Sequence, residues 1–140
     1  MDLHDSPDER EFRERARHWL TQHAVDSPDV EAMPGSADVD AWRTWSRKLH
    51  TAGFVGLTWP VEYGGSGLAP TYQAIWAEEV ARAGVADHLG LVGLGMAGPT
   101  IIEHGTAEQK ERLLDATLRC DIIWCQGFSE PGSGDRKSVV

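Results

Sequence analysis

A single segment of this chain has the two-residue periodicity of a strand, and one strand by itself cannot make a sheet. From Asp121 to Phe128 the run Ile-Ile-Trp-Cys-Gln-Gly-Phe puts Ile122, Trp124, Gln126 and Phe128 on one face and Ile123, Cys125 and Gly127 on the other. Every apolar segment before it has a helical period or is dense in glycine. The chain must therefore bury its apolar surface by packing helix on helix. The expected fold class is all-α with one terminal β-strand.

Five helices are legible. Ser6 caps the first, Pro7 fills its first position and Glu9 completes a Ser-x-x-Glu capping box. Phe12, Ala16, Trp19 and Leu20 form its buried face, with Arg13, Arg15 and Arg17 off it. A turn-rich connection with Pro34-Gly35 leads to a second helix from about Asp40, striped by Trp42, Trp45 and Leu49 and ended by Gly53. Between Gly53 and Pro70, six glycines and prolines surround Phe54, Leu57, Trp59 and Tyr63, the composition of an ordered loop with buried aromatics.

A third helix is expected from Pro70 to Ala83, with Ile75, Trp76, Val80 and Ala83 inward and Glu78, Glu79 and Arg82 in water. A fourth, His88 to Glu103, is apolar nearly all round, which predicts the central and most buried element. Its glycines at 90, 93, 95 and 98 cost about 1 kcal/mol each against alanine, so something must approach closely enough to offset them. Thr106 and Gln109 form the capping box of a fifth helix, striped by Leu113, Leu114 and Leu118.

Composition narrows function. Thirteen Lys and Arg against 22 Asp and Glu give a formal charge of -9, which argues against a nucleic-acid surface. The longest apolar stretch, Leu89 to Gly98, is about half of the ~20 residues a membrane helix needs. The acidic start Met1-Asp2-Leu3-His4-Asp5 is unlike a secretory signal, and a cytoplasmic location is expected. Cys120 and Cys125 match neither a redox pair nor a zinc knuckle and read as reduced, structural residues.

Candidate chemistry is sparse. Gly93-Leu94-Gly95-Met96-Ala97-Gly98 spells G-x-G-x-x-G, yet no strand precedes it and Pro99 follows, so it reads as a packing face and not a dinucleotide site. The six histidines show no metal-ligand spacing and suit surface or capping roles. Ser129 and Ser133 lack the setting of a hydrolase nucleophile. The run from Trp124 to Gly134 remains open between an ordinary strand with a Pro-Gly turn and an edge that offers amides, a hydroxyl and apolar area to a flat heterocycle.

At these residues the sequence resembles the acyl-CoA dehydrogenase family. Trp124 to Gly134 is similar to its flavin-side strand and Ser-Glu-Pro-Gly turn, Pro60 to Gly67 to its Pro-x-Glu-x-Gly-Gly-x-Gly loop, and Pro99 to Lys110 to its fourth-to-fifth helix junction. The resemblance implies an N-terminal helical domain over residues 1–120 and the start of a truncated middle β domain over 121–140. It implies FAD-dependent oxidation of an acyl-CoA thioester to the 2,3-enoyl-CoA, with Gln126, Phe128, Ser129 and Gly134 along the flavin and Leu91 and Gly95 bordering the acyl cavity.

The family's glutamate base lies in a C-terminal helical domain, so this chain alone is expected to be inactive. The family usually reads Gly-Ser-Asp where this chain has Gly134-Asp135, one residue short. The resemblance also admits homo- or hetero-oligomers with dehydrogenase subunits. The alternative is a non-catalytic helical module that docks on a larger dehydrogenase subunit or on a separately encoded C-terminal half.

Overall fold

The computed structural model describes residues 4–30 and 39–127. Its helices are α1 (Pro7–His23), α2 (Val39–Thr51), α3 (Pro70–Ala83), α4 (Gly98–His104) and α5 (Ala107–Leu118), with a π turn over Gly93–Ala97 leading into α4. Both capping boxes form. The Ser6 hydroxyl accepts from Glu9 N at 3.3 Å while Ser6 N donates to the Glu9 carboxylate at 2.7 Å, and Thr106 and Gln109 repeat the exchange. Gly53 closes α2 with φ +80, as its position predicts. The Pro34-Gly35 turn lies outside the described residues.

The core lies where α1, α2, α3 and the 53–69 loop meet. Phe54 stacks on Trp76 with centroids 4.5 Å apart and meets the Phe12 ring edge-on at 6.1 Å. Trp45 is buried and donates its indole N–H to the Ala86 carbonyl at 2.7 Å, so its large apolar area enters the core with no polar atom orphaned. Leu57, Leu49 and Leu118 complete the interior.

Four expectations need correction. Glu79 was expected in water but is 3% exposed: Arg17 clamps it with two 2.8 Å bonds and Arg13 adds a third at 3.1 Å. Those guanidiniums hold its carboxyl below the usual range, with Arg17 the larger influence. Hydrophobic periodicity within α3 cannot reveal an ion pair whose cations come from α1. Ala83 was expected inward and is exposed. His88 was assigned a surface or capping role and is buried. Of the two cysteines expected to be structural, Cys120 is buried but Cys125 is exposed.

The fourth helical segment also differs from expectation. It is neither continuous nor the most buried element, since Leu91 is 55% and Met96 50% exposed and the backbone passes through the π turn. All-round apolarity does not here mean burial on every side. Instead one edge packs on the core and two faces stay open. Close approach is severe at two of the glycines: a Cβ at Gly98 would collide with the benzene ring of Trp59, and one at Gly93 would lie 2.6 Å from Trp124 Cδ1; at Gly90 it would lie 3.0 Å from the His88 ring. At Gly95 nothing approaches within 4 Å.

The terminal strand does not form among the described residues. Residues 121–127 run without a ladder because no second strand is there to pair with them. Trp124 is anchored instead as a side chain, its indole N–H donating to the Thr117 hydroxyl at 2.9 Å. No helix among the described residues is long and apolar enough to cross a membrane.

Gly95 and Gly98 should therefore answer alanine substitution with opposite signs. Gly98→Ala overpacks against Trp59 and is expected to cost about 1–3 kcal/mol. Gly95→Ala enters open space and should stabilise by up to about 1 kcal/mol. Urea denaturation of the two variants checks both, and equal effects would refute the packing scheme.

Candidate functional site

Two depressions flank the segment from Leu91 to His104. The first, about 220 Å³, lies between α3 and the π turn and is walled by Phe54, Trp59, Trp76, Leu91, Leu94 and Gly95. Leu91 and Gly95, the two positions the family resemblance places at an acyl cavity, thus share one cleft. Its other lining mixes the aromatic Phe54, Trp59 and Trp76 with polar Thr58, Gln73, Asp87 and His88, and nothing lies within 4 Å of a Cβ at Gly95. At its polar end Asp87 accepts from Trp76 Nε1 at 3.2 Å and from His88 N at 2.7 Å.

His88 is the residue at this cleft that sequence reasoning misplaced. Its Nδ1 accepts the Gly90 N–H at 2.9 Å, which puts the ring proton on Nε2, where it donates to the Leu118 carbonyl at 3.1 Å. One imidazole thereby ties the C-terminus of α5 to the turn that starts the cleft wall. Burial pushes its pKa below the ordinary 6.5. The two local cues were Asp87 before it and Gly90 two residues after, and neither distinguishes a buried ring from an exposed one.

The second depression, about 420 Å³, lies on the opposite side of the segment and is lined by Val92, Met96, Ile101, Leu113, Trp124 and Gln126 among others. Gln126 is the sole flavin candidate among the described residues, and its side chain is exposed. Phe128, Ser129 and Gly134 lie outside them. The one indole donor at this depression is spent on Thr117, and no buried polar side chain there lacks a partner. These residues offer a flavin an apolar wall and not a cradle. No group of three or more His, Cys, Asp or Glu that could hold a metal occurs among the described residues.

Residues 6–121 match the family model for the acyl-CoA dehydrogenase N-terminal domain. The chain belongs to the acyl-CoA dehydrogenase family. Its similarity to acyl-CoA dehydrogenase IpdE1 of Mycolicibacterium smegmatis is 39% identity over 132 residues, 89% of this chain and 33% of the relative. Mitochondrial isovaleryl-CoA dehydrogenase of Pongo abelii is 28% identical over 135 residues, 92% of this chain and 30% of the relative.

Among solved structures, a chain of the ChsE4-ChsE5 complex from Mycobacterium tuberculosis superposes with a TM-score of 0.77 at 30% identity, over 95% of this chain and 33% of that one. The Tcur3481-Tcur3483 steroid ACAD gives 0.72 at 30% identity, over 94% and 34%. This chain spans about a third of the length of the relatives it matches. Its helical architecture is that of the family's N-terminal domain.

The geometry at His88 gives this domain a specific acid sensitivity. Its folded pKa is lowered, so as pH falls through about 6.5 the unfolded chain takes up a proton that the folded one refuses. The stability it contributes is intact above that pH and is lost on acidification. The carboxylates held low by arginines, Glu79 and Asp121, act only below the ordinary carboxylate range near pH 4. Chemical denaturation between pH 7 and 5 should show the native chain losing stability more steeply on acidification than His88→Gln, by less than the one-proton limit of about 1.4 kcal/mol per pH unit. Identical slopes would contradict the buried neutral tautomer.

Proposed function

We propose that this chain supplies the acyl-side wall of a dehydrogenase that oxidises an acyl-CoA thioester to the 2,3-enoyl-CoA with FAD. The observation that carries the reading is the cleft between α3 and the π turn, walled by the apolar Phe54, Trp76, Leu91 and Leu94 and open at Gly95. Phe54, Trp76, Leu91 and Leu94 would shed water from the acyl chain, a gain of about 25 cal/mol for each Å² of apolar area covered. The bound flavin supplies the two-electron redox chemistry, while the protein orients the substrate.

By family resemblance the base and most of the flavin contacts belong to regions outside the matched third, and Gln126, Phe128, Ser129 and Gly134 are proposed to border the flavin. One structural neighbour is a chain of the ChsE4-ChsE5 complex, and another belongs to the Tcur3481-Tcur3483 steroid ACAD. They support a hetero-oligomer in which this chain works beside a second dehydrogenase subunit.

Two measurements test the reading. A purified polypeptide of residues 1–140 should leave gel filtration without FAD, because its described residues form one wall only; stoichiometric flavin on the chain would overturn that division of labour. In the flavin-loaded dehydrogenase that contains this chain, Gly95→Leu fills the cleft and should shift kcat/KM toward shorter acyl groups by roughly one decade, the worth of one or two methylenes. An unchanged chain-length profile, with flavin retained, would remove the cleft from the acyl site.

A further inference from the structure

The glycine loop and the π turn meet at one side chain. Trp59 lies in the 53–69 loop, with its N–H on the Gly56 carbonyl at 3.0 Å and its own carbonyl accepting from Gly67 N at 2.8 Å. Gly65 folds directly over it, so close that any Cβ would strike the Trp59 backbone, which explains a glycine there irrespective of φ. From this mount the indole passes under Gly98 and its Nε1–H donates to the Leu94 carbonyl at 3.0 Å.

That carbonyl needs an outside donor. At the end of the π turn the Gly98 N–H goes to the Gly93 carbonyl, five residues back. The next amide along would continue the ladder to Leu94, and residue 99 is a proline with no N–H to give. An unmatched carbonyl beside the core costs about the desolvation of one polar group. Here the indole N–H fills the gap.

We infer that Trp59 is a positioning residue for the acyl cleft: its indole N–H replaces the amide that Pro99 lacks, fixes the π turn, and so sets where Leu91, Leu94 and Gly95 stand. The acyl-recognition part rests on the proposed function, whereas the effect on the π turn does not. Trp59 lines the cleft and also holds Leu94 and meets Gly98, so its loss would change the lining and release the π turn.

Amide hydrogen exchange on the chain reads the first part without any activity. Trp59→Phe keeps an aromatic ring under Gly98 and removes the donor; exchange at Ala97 and Gly98 should quicken at least tenfold while amides of α1 from Phe12 to Leu20 stay as they were. Adding Pro99→Ala to Trp59→Phe restores a backbone N–H and should recover at least threefold of that protection. Unchanged exchange at 97 and 98, or equal acceleration throughout α1, would overturn the inference, and so would identical exchange in the single and double variants, which would assign the loss to ring volume. In the flavin-loaded dehydrogenase, Trp59→Phe should alter the ratio of kcat/KM between long and short acyl-CoA at least fivefold. If the native enzyme oxidises no acyl-CoA, the proposed function fails while the exchange result stands; a changed exchange pattern with an unaltered chain-length ratio would overturn the claim of acyl positioning.

Discussion

The close approach of Trp59 to Gly98 is the constraint on which the site depends. A large ring can lie that near a helix only where the helix residue has no side chain, and the ring reaches it only because Gly65 lets the loop close over its backbone. Two glycines far apart in sequence thus serve one contact. The contact joins the loop, the π turn and α4 into a unit, and Leu118 of α5 fits against the same loop at Gly56 and Gly64. Without it the wall that carries Leu91 and Gly95 would have no fixed distance from Phe54 and Trp76.

A second tie acts at the opposite side of the core. Glu79 is a buried carboxylate between two arginines of α1, and losing both would leave its charge buried and unpaired. It sets α1 against α3, and the aromatic stack of Phe12, Phe54 and Trp76 fills the space that results. The cleft opens from that stack, so its floor is as rigid as the core.

Local chemistry made the helices legible and left their surroundings obscure. Ser6, Thr106 and Gly53 act within a few residues of themselves, and each does what its neighbours in sequence predict. Glu79 and His88 take their roles from partners 62 and 30 residues away, and no period within their own helix or turn could show it. The segment from Leu91 to His104 failed as a continuous buried helix for a related reason. Its apolar residues face two open depressions as well as the core, and apolarity alone does not say which surface covers a side chain. Leu91 and Gly95 came from the family resemblance and lie on one cleft, while of the flavin candidates only Gln126 is among the described residues, exposed at the rim of the second depression.

The central claim is that the acyl group of the substrate lies between α3 and the π turn. An acyl-CoA with a diazirine at the far end of its acyl chain, irradiated in the flavin-loaded dehydrogenase that contains this chain and followed by peptide mass spectrometry, tests it most directly. Label is predicted on Phe54, Trp76 or the stretch from Leu91 to Gly95, and excess unlabelled acyl-CoA should abolish it. Label confined to Met96, Ile101 and Leu113 on the opposite depression, or absent from this chain while present on its partners, would contradict the account.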